Sequence, residues 1–174
     1  MEWMFLPLKR YADFSGRSRR TEYWMFVLFQ FLIGIAYSLL LGLVGGAALF
    51  GGDPGALVAA GGAVMILTAI YALVCLALII PAIAVAIRRL HDTNRTGWWV
   101  LAPLAPYCLS FIGAAMAASS PGSPGAGAML ALVGGLLALA MAVALIVFLL
   151  LDGTRGPNRF GADPKDRVPP EVFA

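Results

Sequence analysis

Read from its N-terminus, the chain alternates between long stretches without a single charge and short ones crowded with charge. No Asp, Glu, Lys, Arg or His falls between Glu22 and Asp53, between Asp53 and Arg88, or between Arg95 and Asp152. A helix crosses the hydrocarbon core of a bilayer with about 20 apolar residues, so each of the first two gaps predicts one span. The third gap has room for two, broken at "SSPGSPGAG" (119–127), where Pro and Gly end a helix and small polar residues turn the chain. The pattern predicts an all-α, polytopic membrane protein with four transmembrane helices arranged as two helical hairpins. The spans are expected near residues 24–50, 63–87, 98–118 and 128–151, within a transmembrane domain of residues 24–151. Residues 1–23 precede it, and residues 152–174 form a tail.

Composition agrees with this reading. Of 174 residues, 61% are hydrophobic and 12% charged, and the mean hydropathy is +0.88, whereas a soluble domain carries about a quarter charged residues. All twelve Lys and Arg fall in three places: five in residues 1–23, three in 88–97 and four in 152–174. None lies in the turns at 51–62 and 119–127. The positive-inside rule then makes both termini and the central loop cytoplasmic and turns the two Gly/Pro-rich connections outward, an N-in/C-in topology. No cleavable signal is expected, because 23 mostly polar residues lead into a first apolar run longer than a signal core of about 7–15 residues. A net charge of +3 does not indicate nucleic acid, since every basic residue stands where topology asks for one.

Finer features follow within this frame. "MEWMFLPLKRYADF" (1–14) mixes Trp3, Phe5, Leu6, Leu8 and Tyr11 with Lys9 and Arg10, which predicts a short segment lying in the headgroup region. Pro7 is expected to limit any helix there to a start at or after its own position. Ser15 or Ser18 is the expected N-cap of the first span, with Glu22 in its first turn. Gly34, Ser38, Gly42 and Gly46 recur every fourth residue, a ridge of small side chains on which another helix, of the same chain or of a second copy, can pack closely. Pro81 and the pair Pro103/Pro106 predict kinks in the second and third spans.

The spans offer little chemistry. They hold no ionisable pathway group of the kind that coupled transporters carry, only Gln30, Tyr37, Ser38, Thr68, Tyr71, Tyr107 and Ser110. One His and two membrane-embedded cysteines, Cys75 and Cys108, supply no metal site, no disulfide framework and no cofactor attachment. His91 and Asp92 are neighbours in sequence and do not face one another on a helix, so Asp92 is expected to pair with Arg88 one turn back. No serine stands in a nucleophile elbow, and catalytic residues are not expected. In the tail, "DGTRGPNRFGADP" (152–164) is turn-rich, and Arg155 and Arg159 leave turns that can cradle a phosphate.

Three separated segments, "DFSGRSRRTEYW" (13–24), "RRLHDTNRTGWW" (88–99) and "DGTRGPNRFGADP" (152–164), resemble the bacterial family known as domain of unknown function 805, the YhaH/YhaI-like proteins. The resemblance runs from about residue 5 to residue 165, in the family's order. It implies a multi-pass protein of the bacterial inner (cytoplasmic) membrane with no assigned activity and carries over no catalytic residue. Topology places all three segments on the cytoplasmic side. There Arg17, Arg20, Glu22, Arg88, Arg89, His91, Asp92, Arg95, Asn158, Arg159 and Asp163 are expected to cluster as a structural or anion-binding site. The function expected is a non-enzymatic scaffold or accessory protein whose arginines meet anionic lipid headgroups, phosphates or an acidic partner. The partners are the bilayer and either another membrane protein or a second copy. A transporter or channel-like oligomer is the alternative, and a lipid- or phosphate-processing enzyme using His91 and Asp92 the third reading.

Overall fold

The computed structural model describes residues 2–51, 54–119 and 125–165, and all regular elements among them are helical. In chain order they are α1 (Glu2–Lys9), α2 (Arg20–Gly51), α3 (Pro54–Asp92), a 3-10 turn (Gly97–Leu101), α4 (Leu104–Ser119) and α5 (Gly125–Leu150). Four of the helical segments, with the 3-10 turn and α4 taken together, are long and apolar enough to cross a membrane. Large apolar side chains such as Phe31, Leu43, Met65, Leu73, Leu136 and Leu139 stand exposed along them. A surface of that kind belongs against lipid, since in water it would drive aggregation.

Two local expectations need correction. The 51–62 connection is mostly helix, because α3 begins at Pro54. Proline suits a first helical position, where its missing N–H and fixed φ cost nothing, and the alanines behind it propagate the helix. Residues 52 and 53 lie outside the described residues, as do residues 120–124 of the connection between the third and fourth spans. Helix α1 runs through Pro7 rather than starting there. The single hydrogen bond that proline removes is tolerated in a two-turn helix that buries the ring and carries Glu2 at its first turn and Lys9 at its last. The kink expected at Pro103 is a break in the third span, with the 3-10 turn before it and α4 after it.

The chain divides into two compact units. The first comprises Met1–Asp13 and Thr21–Ala84. In it Phe5 of α1 meets Phe29 of α2 edge-on at 5.4 Å, Tyr37 and Tyr71 stack at 4.0 Å, and the Tyr37 hydroxyl lies 2.9 Å from Thr68 Oγ1. Pro81 leaves the Ala77 carbonyl without its helical donor. The Tyr11 hydroxyl fills that vacancy, donating to Ala77 O at 2.6 Å.

The second unit comprises Phe14–Arg20 and Val85–Ala174. Its helices α4 and α5 run antiparallel in close contact, and glycines make the approach possible. A Cβ on Gly113 would come within 2.3 Å of Ala131 N, one on Gly127 within 2.5 Å of Ala117 N, and one on Gly134 within 2.5 Å of Ser110 N. Ser110 Oγ donates across the seam to Ala131 O at 2.8 Å. Small residues thus set backbone-to-backbone packing here, as membrane helices commonly require.

Candidate functional site

The polar end of the second unit grows from the last turn of α3. Arg95 N–H donates to Leu90 O at 2.9 Å and Asn94 N–H to His91 O at 3.0 Å, with Asn94 at φ 59°. This is the paired-bond cap that ends a helix through one left-handed residue, and asparagine tolerates that conformation. The reversal fixes Asp92 as the last helical residue, with Arg89 one turn behind it.

Asp92 is the hub. Its Oδ1 accepts from Arg17 Nε at 3.0 Å and Arg17 Nη2 at 2.8 Å, and its Oδ2 accepts from Arg89 Nη1. All three side chains are at most 1% exposed. The Asp92 carbonyl in turn receives Thr154 N–H at 2.9 Å and the Thr154 hydroxyl at 3.3 Å. Gly153 passes so close that a Cβ there would fall 2.0 Å from Asp92 Oδ2.

The remaining donors of the two arginines go to carbonyls. Arg17 Nη1 donates to Gly156 O at 2.7 Å and Arg17 Nη2 to Thr154 O at 2.6 Å. Arg89 Nε donates to Leu149 O at 3.1 Å and its Nη2 to Leu151 O, while Arg20 Nη1 reaches Leu150 O at 2.9 Å. Helix α5 has no basic residue in its own last turn. Three consecutive carbonyls at its C-terminus are therefore met by guanidinium groups from elsewhere, which also complement the negative end of the helix dipole.

The tail folds back through Asn158 and Asp163. Asn158 Nδ2 donates to His91 O at 2.9 Å and to Thr154 Oγ1 at 3.0 Å, and its backbone exchanges two 3.0 Å bonds with Gly161. His91 stacks on Phe160 at 3.9 Å with an interplanar angle of 3°, and its Nδ1 lies 3.2 Å from Gly16 O. Asp163 accepts from Gly156 N–H at 3.2 Å and Lys165 N–H at 2.9 Å. The anion held by this turn is thus a carboxylate of the chain itself, in the kind of concavity a phosphate would use.

Of the residues singled out in the sequence, Arg17, Arg89, His91, Asp92, Asn158 and Asp163 are interlocked by these bonds. Arg20 sits at the rim, 2.7 Å from Asp152. Arg95 covers the Phe148 ring at 4.0 Å, and Arg159 donates to Asn94 O at 3.0 Å while lying over Phe160. Arg88 is fully buried, and its carbonyl takes the Ser18 N–H at 3.1 Å. Glu22 is buried in the first turn of α2, within the first unit.

Two expected partnerships are corrected. Asp92 pairs with Arg89, three residues back on the same helix face, and with Arg17, not with Arg88. Ser18 contributes its amide to α3 rather than its hydroxyl to an α2 cap, and its Oγ lies 3.5 Å from Arg19 O. On the small-residue ridge of α2, Ser38 Oγ bonds back to Gly34 O at 2.9 Å, and nothing lies within 4 Å of a Cβ built on Gly42 or Gly46. Gly153, which the sequence suggests as a left-handed end to the fourth helix, is not at positive φ and instead makes room for Asp92; Thr154 and Phe160 carried no sequence signal beyond their place in the 152–164 segment. Among the described residues no three His, Cys, Asp or Glu side chains converge as metal ligands.

Comparison with known proteins matches the family described as "Protein of unknown function (DUF805)" over residues 11–162. The inner membrane protein YhaI of Escherichia coli K12 is 32% identical over 165 residues, covering 95% of this chain and 97% of that one. Inner membrane protein YhaH of the same strain is 36% identical over 168 residues, covering 95% and 98%. No solved structure matches.

Proposed function

Since the chain belongs to the DUF805 family of unknown function, with inner membrane proteins among its relatives, we propose that it is a non-catalytic scaffold or accessory protein of the bacterial inner membrane. It has two helical hairpins, and both termini face the cytoplasm. The observation that carries this reading is the saturation of Arg17 and Arg89 around Asp92. The Nε and both Nη atoms of Arg17 and of Arg89 are spent on Asp92 and on backbone carbonyls. The tail's anion nest is filled by Asp163. A catalytic pair needs an acid or base with room for substrate beside it. His91 instead lies flat on Phe160 with Nδ1 at a carbonyl. The buried arginines act as a clasp that joins residues 14–20, the end of α3 and the tail. Contact with anionic headgroups falls to the outer arginines, the exposed Arg155 and Arg159. Each contributes roughly 1 kcal/mol of attraction to an anionic leaflet.

Native mass spectrometry from nanodiscs tests this division. The Arg155→Ala/Arg159→Ala protein is expected to retain less phosphatidylglycerol than wild type while keeping its thermal midpoint, with phosphatidylcholine retention unchanged. Equal phosphatidylglycerol retention would refute the lipid-facing role. Sidedness is read separately with single cysteines in a Cys75→Ala/Cys108→Ala background. A membrane-impermeant maleimide should label Gly125→Cys in intact cells and Pro157→Cys only after permeabilisation, and the reverse pattern would overturn the topology.

A further inference from the structure

The first unit holds a cavity of about 270 Å³ whose wall includes Gln30 of α2 and Tyr71, Cys75 and Leu78 of α3. Gln30 and Tyr71 also border a wider groove of about 710 Å³ that continues along α2 past Phe31, Ile35 and Leu39. Tyr71 stands midway between Pro54 and Arg88 on α3, about 25 Å from each along the axis. A residue about 25 Å from either end lies inside a hydrocarbon core about 30 Å thick. Gln30 is half-buried and its amide hydrogen-bonds to no group among the described residues. The Tyr71 hydroxyl faces α2 at Gly34, 3.6 Å from where a Cβ there would lie, and its ring is stacked face to face on Tyr37. At this depth water is absent, and a primary amide left without a partner costs several kcal/mol in any lipid-only surrounding.

We propose that this cavity binds a prenylated quinone. The amide N–H of Gln30 and the Tyr71 hydroxyl donate to a ring carbonyl, and the apolar tail lies in the groove from Gln30 toward Leu39, about 13 Å along α2. The chemistry of the site selects this class. A phospholipid headgroup carries charge, which does not leave the water interface for the hydrocarbon core without a heavy cost. A bare acyl chain satisfies neither donor. A quinone is uncharged, flat enough to lie along a wall that includes the Tyr71 ring, and brings acceptors to the two donors there, Gln30 and Tyr71. The inference is independent of the clasp at the polar end.

Decylubiquinone titrated into the full chain in phosphatidylcholine nanodiscs, with bound quinone counted by native mass spectrometry, tests the assignment. Wild type should take up one quinone per chain saturably. Gln30→Leu and Tyr71→Phe should each weaken binding about tenfold, the worth of one hydrogen bond in a dry site. Tyr107→Phe, on α4 beside a different cavity, should bind like wild type. Thermal midpoints of all variants establish that they are folded, and Tyr71→Phe carries the test if Gln30→Leu is not. Absent or non-saturable uptake by wild type, or equal uptake by all variants, overturns the proposal. So does a Gln30→Leu protein that loses a dimer while binding quinone normally, because the partner of Gln30 is then a second copy of the chain.

Discussion

Replacing Asp92 by Asn is the sharpest perturbation of the clasp, since it removes one charge and almost no volume. The carboxylate is the shared counter-charge of Arg17 and Arg89, at 2.8 Å from Arg17 Nη2 and in contact with Arg89 Nη1, and all three side chains are at most 1% exposed. Asn keeps one acceptor oxygen but leaves two guanidinium groups buried with only carbonyl dipoles and, for Arg17, a carboxylate at 3.9 Å. Breaking a buried ion pair from one side costs about 3–5 kcal/mol, because the remaining charge stays desolvated. At roughly 2–4 °C per kcal/mol for a chain of this size, the thermal midpoint should fall by roughly 6–20 °C. Asp152→Asn is the matched control. Asp152 also contacts two cations, Arg20 at 2.7 Å and Lys165 at 3.2 Å, but it is 61% exposed, and pairs of that kind contribute about 0–1 kcal/mol. Thermal unfolding in detergent, followed alongside limited proteolysis of residues 153–165, reads both effects. Asp92→Asn should melt early and open the tail to cleavage, whereas Asp152→Asn should do neither. Equal midpoints and equal cleavage in the two variants would refute the claim that burial gives Asp92 its weight.

Gly153→Ala should also free the tail, because its methyl would overlap Asp92 Oδ2. Increased proteolysis near residue 153 with α-helical circular dichroism intact is the expected result. Tyr11→Phe removes the donor to Ala77 O at 2.6 Å. It strands a carbonyl that Pro81 cannot serve, and stability measured by thermal unfolding should fall by about 1–3 kcal/mol.

The resemblance to DUF805 and the four spans are legible in the chain itself, because a helix is the one way a single segment can satisfy its own backbone in hydrocarbon and must therefore be written as a long charge-free run. The same logic failed at residues 54–62, where glycine and proline suggest a turn yet Pro54 opens a helix. It failed again at Pro7, which a buried two-turn helix accommodates. Both residues punctuate a chain reliably only where nothing else holds the backbone. The candidate site was legible as a set of residue types and as a neighbourhood, but its bonding was not. The nearest basic residues to Asp92 in sequence are Arg88, Arg89 and Arg95, and periodicity alone does not rank them. That Arg17, 75 residues away, takes Asp92 Oδ1 depends on where the 14–20 segment lies.

What the sequence determined by itself is whatever each segment owes to its own solvent: the number of spans, their approximate extent and the gathering of Lys and Arg in three polar stretches. What only the tertiary structure decided is which of those charges are spent. Hydropathy counts a guanidinium as one positive charge wherever it stands, but three carbonyls at the end of α5, a carboxylate at the end of α3 and a turn in the tail each need a donor. Folding allots Arg17, Arg20 and Arg89 to them and leaves Arg155 and Arg159 at the surface. In the function proposed above, that allotment makes Arg17 and Arg89 a clasp and leaves anions to the outer arginines, because a buried charge must be balanced from within the chain before anything outside can claim it.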